Sequence, residues 1–158
     1  MERSLTSADY ASLAELRYQI RRFLHFSEQA SRVAGLEPRQ HQLMLALKGL
    51  PTDVRPRIGE LAERLQVRHH SAVELVNRLS SGGYVRRHRG GEDGREVLLS
   101  LTPKGEKVLR DLSLHHRAEL RMRGPALIET LRRVIHVSKR GKGVPARAAS
   151  RAKSTRKT

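Results

Sequence analysis

One stretch of this chain, residues 61–101, constrains the fold more than any other. Its first part belongs to two short amphipathic segments, at about 58–65 and 70–81, which a brief polar break separates. In each segment the apolar residues recur at helical spacing. A pair of glycines directly after the second segment is a typical helix stop. The stretch therefore predicts two short helices joined by a turn.

A two-stranded ribbon is predicted to follow these helices. Residues 84–89 make a basic strand, residues 96–101 make an apolar strand, and the Gly-rich residues 90–94 between them allow a tight turn with positive φ. Helix, turn, helix and ribbon, in this order, predict a winged helix-turn-helix. In that fold the second helix enters the major groove of DNA, so the order assigns a role to each part.

Helical periodicity continues on both sides of this predicted winged helix-turn-helix. One long helix is predicted over 7–34, with Ser7 as its N-cap, and Pro38 is placed to begin the next helix. After the ribbon, Thr102 and Pro103 should begin a helix that runs to about residue 123, where the pair Gly124-Pro125 should break it. A final helix with an apolar stripe is then expected.

The predicted fold is mainly α with a small β-wing, in one domain over residues 7–137. Its DNA-binding lobe spans about 38–101, and the helices at about 7–34 and 103–137 flank it. These flanking stripes exceed what the core of a winged helix-turn-helix needs, so we expect the termini to pair with a second subunit. A two-fold homodimer would place two recognition helices on successive major grooves.

Composition and charge restrict the classes of molecule that the protein can bind. The net charge of +16 favours polyanions, and the aliphatic core implied by two Phe, three Tyr and no Trp belongs to an ordinary globular domain. No apolar run approaches the roughly 20 residues of a membrane span, and the N-terminus lacks the apolar segment of a signal peptide. The charge alone fits DNA, RNA or an anionic membrane; together with the predicted winged helix-turn-helix, it leads us to expect double-stranded DNA as partner, no membrane association and a cytoplasmic location.

The last residues, 138–158, carry eight Lys or Arg and no acid. Such a segment cannot bury a core and should be disordered alone. Two interpretations stay open, an arm that contacts DNA and a tail that is only a solubilising appendage or an overhang.

The polar side of the second short helix is the predicted reader of base edges. A solvated face is the alternative, but the basic ribbon that follows favours DNA. Glu74 could accept a hydrogen bond from cytosine N4 or pair with Arg78 one helical turn on, and we favour the pairing. The candidate major-groove residues are His69, His70, Ser71, Val73, Glu74, Asn77 and Arg78.

Several short motifs occur together in a spacing typical of one known family. They are Leu36 to Gln40, Glu60-Leu61-Ala62, Val76 to Leu79 followed by Gly83 to Arg87, and Asp93-Gly94-Arg95 followed by Leu99 to Gly105. With the order of six helices and a wing, these motifs make the chain resemble the MarR family of bacterial transcriptional regulators over about residues 10–137. The resemblance implies a repressor that binds a pseudo-palindromic operator as a homodimer. The start of the recognition helix departs from the family pattern, which leaves base specificity open.

The resemblance also implies a role for the wing. In the family, the Arg of an Asp-x-Arg motif enters the minor groove while the Asp holds its side chain, and Asp93 and Arg95 occupy these positions. A narrow minor groove concentrates negative potential and favours an inserted Arg. Arg86, Arg87 and Arg89 should reach flanking phosphates.

An effector pocket between the dimerisation helices and the DNA-binding lobe is implied as well, often for small aromatic anions. Each histidine in the candidate set could instead be an ordinary core or surface side chain. Some relatives bind zinc there, but His115 and His116 point about 100° apart on a helix, so we expect no metal. The candidates for the pocket are Arg17, His25, His41, His115 and His116.

Other classes of function are weighed against this one. The missing cysteine excludes thiol oxidation as a sensing chemistry, and the absence of a nucleophile elbow, a zinc-protease motif and a P-loop argues against an enzyme or a cofactor. An architectural nucleoid-type protein or an RNA-binding protein fits the charge equally well. Only a regulator should keep its affinity for one site at salt concentrations that remove it from random DNA.

Overall fold

The computed structural model describes residues 4–90 and 94–136, and the predicted basic tail therefore lies outside the described residues. Within them the chain is mainly helical with one two-stranded antiparallel sheet, which confirms the predicted fold class. No helix of this part is long and apolar enough to cross a membrane. The elements are α1 (Ser7–Val33), α2 (Pro38–Lys48), α3 (Ile58–Arg64), α4 (His69–Ser81), β1 (Val85–Gly90), β2 (Glu96–Leu101) and α5 (Pro103–His136).

The start of α1 differs from the prediction by one residue. Thr6, and not Ser7, is the N-cap, because Thr6 and Asp9 form a reciprocal capping box. The Asp9 backbone N–H donates to Thr6 Oγ1 (3.3 Å), and the Thr6 backbone N–H donates to Asp9 Oδ2 (2.7 Å). The Thr6 backbone N–H and, secondarily, the Thr6 hydroxyl (2.7 Å) donate to the Asp9 carboxylate and lower its pKa. The capping box is usually completed by Glu or Gln, and Asp9 takes that place here.

The predicted break at Gly124-Pro125 is wrong. A single helix, α5, runs through Pro125, so the described part has five helices and not six. Proline removes one hydrogen-bond donor from a helix and favours a kink, yet it ends the helix only where nothing else holds the next turn. Here α5 packs along α1, and Thr130, beyond the proline, is buried.

The core lies where α2, α3 and α4 meet the sheet and the first half of α5. A sharp turn joins α3 to α4, in which Gln66 has a positive φ of 53° and its side chain donates to the Glu63 carbonyl (2.8 Å). The spacing predicts Ala72, Leu75, Val76 and Leu79 as the buried side of α4; Ala72, Val76 and Leu79 are buried, and Leu75 is half-buried. The fully buried large side chains of the centre are Leu43, Met44, Leu61, Val76, Leu79 and Leu99.

The wing is an antiparallel hairpin in which Val85 pairs with Leu101 and Gly90 with Glu96. At its tip Gly94 has a φ of +64°, the left-handed conformation that the Gly-rich sequence allows. At its base the Leu99 backbone N–H donates to the Pro56 carbonyl (2.9 Å), so the connector between α2 and α3 lies against β2. The wing is thereby attached to the segment that leads into α3.

Candidate nucleic-acid interface

The outward side of α4 is the first part of the candidate interface. Because Ala72, Val76 and Leu79 fix one side of this helix in the core, the opposite side must face outwards. Ser71 and Val73 are half-buried at its edge. The candidates that are exposed are His69, His70, Glu74, Asn77 and Arg78.

The expected ion pair between Glu74 and Arg78 does not form. Among the described residues no salt bridge joins them, although both line one polar cavity between α1, α2 and α4. Both side chains are exposed, and a surface pair at this spacing gains only about 0.3–0.5 kcal/mol, which hydration of the separate ions can match. The Glu74 carboxylate therefore stays available at the surface.

A hydrogen bond connects the wing to α4. Arg87 Nη2, on β1, donates to Asn77 Oδ1, on α4, at 2.6 Å. The neighbouring Arg86 instead donates from Nε to Ser100 Oγ on β2 (3.0 Å). Two arginines that the sequence presented as equivalent therefore have different partners, one across to the recognition helix and one within the sheet.

The wing presents a row of basic side chains. Arg86, Arg87 and Arg89 on β1 are exposed, and so is Arg95, the residue before β2. Asp93, the predicted holder of the Arg95 side chain, lies outside the described residues. The described part of the wing thus brings its cations onto the same hairpin.

Two further arginines, Arg55 and Arg57, were not among the predicted site residues. Both pair with the Glu96 carboxylate, Arg57 through Nε at 2.7 Å from Oε1 and Arg55 through Nη1 at Oε2. The two cations flank Pro56 in the connector, and only this proline-flanked basic pattern could have indicated them. Their partner follows Arg95 directly, so they belong to the surroundings of the wing.

Two of the predicted effector-pocket residues meet where α1, α2 and α5 join. The rings of His41 and His116 lie 4.8 Å apart between centroids, and Phe23 and Phe26 pack edge-on against His116. His116 is satisfied, with Nδ1 donating to the Leu112 carbonyl (2.6 Å) and Nε2 at 2.7 Å from Ser27 Oγ. Burial, reinforced by the neighbouring His116, lowers the pKa of His41 to about 4.

A separate groove of about 750 Å³ runs between α1 and α5. Its walls are mostly apolar, with Phe26, Ala30, Val33, Leu112 and Met122 among them. Its ionisable residues are Asp111, His115 and Glu119. Of the predicted pocket residues, only His115 lines this groove.

The remaining predicted pocket residues are dispersed. Arg17 and His25 are exposed on α1 and line neither the groove nor the junction of His41 with His116. Glu119, which also lines the groove, forms an ion pair with Arg123 (Nε to Oε1, 2.5 Å). In the part of the chain that the structure describes, no three His, Cys, Asp or Glu side chains approach each other closely enough to hold a metal ion.

Comparisons with known proteins agree with this geometry. The sequence profile of the MarR family matches residues 34–96, from just after α1 to the first residue of β2. A search of curated proteins finds no match. Among solved structures, AbsC, a MarR family transcriptional regulator from Streptomyces coelicolor, has a TM-score of 0.67 at 23% identity, over 87% of this chain and 94% of its own.

Two more structures are similar. A MarR family protein from Bacillus stearothermophilus has a TM-score of 0.65 at 19% identity, over 85% of this chain and 98% of its own. CouR from Rhodococcus jostii, bound to p-coumaroyl-CoA, has a TM-score of 0.57 at 19% identity, over 77% of this chain and 87% of its own. At these identities the structures show the fold. The chain therefore has the winged-helix fold of MarR-family transcriptional regulators, and its match to the family over residues 34–96 confirms the resemblance that the sequence indicated.

Proposed function

We propose that this chain is a DNA-binding transcriptional regulator that binds a pseudo-palindromic operator as a homodimer, with α4 in the major groove and the wing in the minor groove. The observation that carries the proposal is the hydrogen bond from Arg87 to Asn77. It joins the basic wing to the exposed polar side of α4, so two surfaces that would contact one duplex are held side by side. The MarR-family fold supports the same assignment.

Within this interface we assign different tasks to neighbouring side chains. Bidentate recognition of adenine by Asn uses both its amide oxygen and its amide nitrogen. Because Asn77 Oδ1 already accepts from Arg87, we assign Asn77 to holding Arg87 towards a phosphate. His70 and Glu74 are then the foremost candidates for base edges, and Arg95 is the candidate for the minor groove.

The homodimer is supported by apolar side chains that the single chain leaves exposed on α1 and α5. In a monomer such residues would meet water, whereas a partner subunit would bury them. Repression is the proposed sign of regulation, because a dimer lying across two successive major grooves excludes other proteins from that DNA. We place its action in the cytoplasm, with bacterial DNA. The exposed residues include Leu13, Ile20, Leu24, Leu120, Ile128, Leu131 and Ile135.

We also propose that a small, largely apolar effector occupies the groove between α1 and α5 and releases the DNA. A volume of about 750 Å³ falls in the range of small-molecule sites. Phe26 lines this groove and also packs against His116 at the junction with α2, so an occupant would press on the connection to the DNA-binding lobe. CouR, which shares the fold, is bound to p-coumaroyl-CoA.

Selection of bound sites from random duplex DNA, at physiological salt, tests the function. We expect one enriched two-fold symmetric site whose half-sites are centred about 10 base pairs apart or a multiple of that. Arg95→Ala should weaken binding to that site by roughly 1–3 kcal/mol without changing dimerisation. If no sequence is enriched while random DNA still binds, the protein is an architectural one, which its net charge of +16 would equally support.

A further inference from the structure

The Glu96 carboxylate, with Arg55 and Arg57, forms a three-residue contact that we call the wing clamp. Each carboxylate oxygen of Glu96 has its own guanidinium, Oε1 that of Arg57 at 2.7 Å and Oε2 that of Arg55. The Glu96 side chain is only 18% exposed, while both arginines are more than half exposed. One sheltered acid is therefore shared between two surface cations.

The clamp joins two elements that have different tasks on DNA. Glu96 is the first residue of β2 and follows Arg95, the proposed minor-groove residue. Arg57 is the N-cap of α3, the helix that supports α4. The backbone hydrogen bond from Leu99 to Pro56 lies beside the clamp, so side chains and backbone together hold the connector against β2.

The electrostatics explain why this contact differs from an ordinary surface ion pair. An isolated exposed pair contributes little, because water and salt screen it and two long side chains must be ordered. In the clamp the acid is largely sheltered and also separates two like charges. Without it, Arg55 and Arg57 would repel each other beside the base of the wing, and both would be drawn to phosphate instead.

We propose that Glu96 is a positioning residue for DNA binding, which sets the orientation of the wing relative to α4 so that Arg95 and the recognition helix engage one operator together. The same carboxylate keeps Arg55 and Arg57 from non-specific phosphate contacts. Glu96 thus raises specificity in two ways, by aligning the specific contacts and by neutralising non-specific ones. This inference rests on the proposed function, since it needs an operator to act on.

Glu96→Gln in the full chain tests the proposal, because it keeps the shape and removes the charge. Glu106→Gln is the matched control: it also removes one negative charge, and it breaks the ion pair of Glu106 with Lys48 (2.7 Å), which joins α5 to α2 away from the wing. Affinity is measured for the selected operator and for a random duplex of the same length, at the same salt concentration.

For Glu96→Gln we expect operator affinity to fall about tenfold, within the range for losing one base-contacting Arg, while affinity for the random duplex stays equal or rises. Glu106→Gln should change both affinities in the same direction. In the Arg95→Ala background, Glu96→Gln should cost little more, because the side chain that it positions is gone. The exchanged pair Arg57→Glu with Glu96→Arg should restore part of the specificity.

Two results overturn the inference while leaving the proposed function intact. One is a Glu96→Gln protein that keeps the operator preference of the wild type. The other is a full, additive loss of operator affinity in the Arg95→Ala background, which would show that Glu96 does not act through the residue that it is proposed to position. If the Glu96→Gln protein does not fold, the double variant Arg57→Glu with Glu96→Arg becomes the test. A folded double variant that shows no preference for the operator over the random duplex also refutes the inference. A wild-type protein without any operator preference overturns the proposed function itself.

Discussion

At the scale of single residues, His41 shows how burial disfavours the protonated form of an imidazole. Its ring is 3% exposed, and in the described structure neither ring nitrogen has a hydrogen-bond partner. From α5 it faces the ring of His116, which in turn is packed against Phe23 and Phe26 and bonded to Ser27 of α1. Both burial and His116 therefore favour the neutral imidazole, which agrees with its pKa of about 4.

This pKa predicts a pH-dependent stability. The pKa is lower in the folded state than the unfolded value of 6.5, so the stabilisation is complete above pH 6.5 and is lost as the pH falls towards 4. His41 should account for a loss of about 1–2 kcal/mol between pH 7.5 and pH 5. Urea denaturation of wild type and His41→Leu at both pH values checks this. The variant should show a smaller loss on acidification, and an equal loss in both proteins would contradict the assignment.

At the scale of elements, the hydrogen bond between Asn77 and Arg87 is the direct side-chain contact expected to couple α4 to the wing. We expect Asn77→Ala and Arg87→Ala to be non-additive in operator affinity, with a coupling of at least about 0.5 kcal/mol. Arg86 provides the matched control, because it bonds to Ser100 within the sheet. Gel-shift titration of the single and double variants measures both double-mutant cycles, that of Asn77 with Arg87 and that of Asn77 with Arg86. Additive effects for Asn77 with Arg87, as for Asn77 with Arg86, would show that this hydrogen bond does not couple the wing to α4 in DNA binding.

The length of α5 shows where element-level rules fail. Gly124 and Pro125 are strong helix breakers by local propensity, and the sequence predicted two helices. Propensity at two residues is outweighed when the turns on both sides are packed, as they are along α1. The starts of the helices depend on nearer neighbours and were predicted well, since Pro38 and Pro103 begin α2 and α5 as expected.

At the scale of the whole molecule, the exposed apolar positions of α5 predict the dimer interface. Leu131 is 44% exposed, so Leu131→Glu should leave the fold of the chain intact and weaken or abolish dimerisation. Val97→Glu is the matched control, because Val97 is 45% exposed but lies on the wing. Sedimentation velocity distinguishes the species. A Leu131→Glu protein that sediments as the same dimer as Val97→Glu would place the interface elsewhere.

The basic segment 138–158 predicts a second whole-molecule effect. Its eight cations would bind phosphates by counterion release, which does not depend on base sequence. Deleting residues 141–158 should weaken binding to operator and random DNA alike. The slope of log affinity against log salt should flatten by about 0.9 for each phosphate that the shortened protein no longer neutralises. An unchanged slope would mean that this segment takes no part in binding.

The sequence by itself determined the order of the elements, most helix ends, the buried side of α4 and the glycine-supported wing. Each of these follows from the periodicity of apolar residues or from capping and helix-ending residues. Such signals act between residues only a few positions apart in the chain. Only the tertiary structure decided that α5 continues through Pro125, that His41 meets His116, that Arg87 bonds to Asn77, and that Glu96 joins two arginines of a distant connector. These contacts depend on how helices and strands pack, because side chains far apart in sequence become partners only when the packing of their elements brings them together.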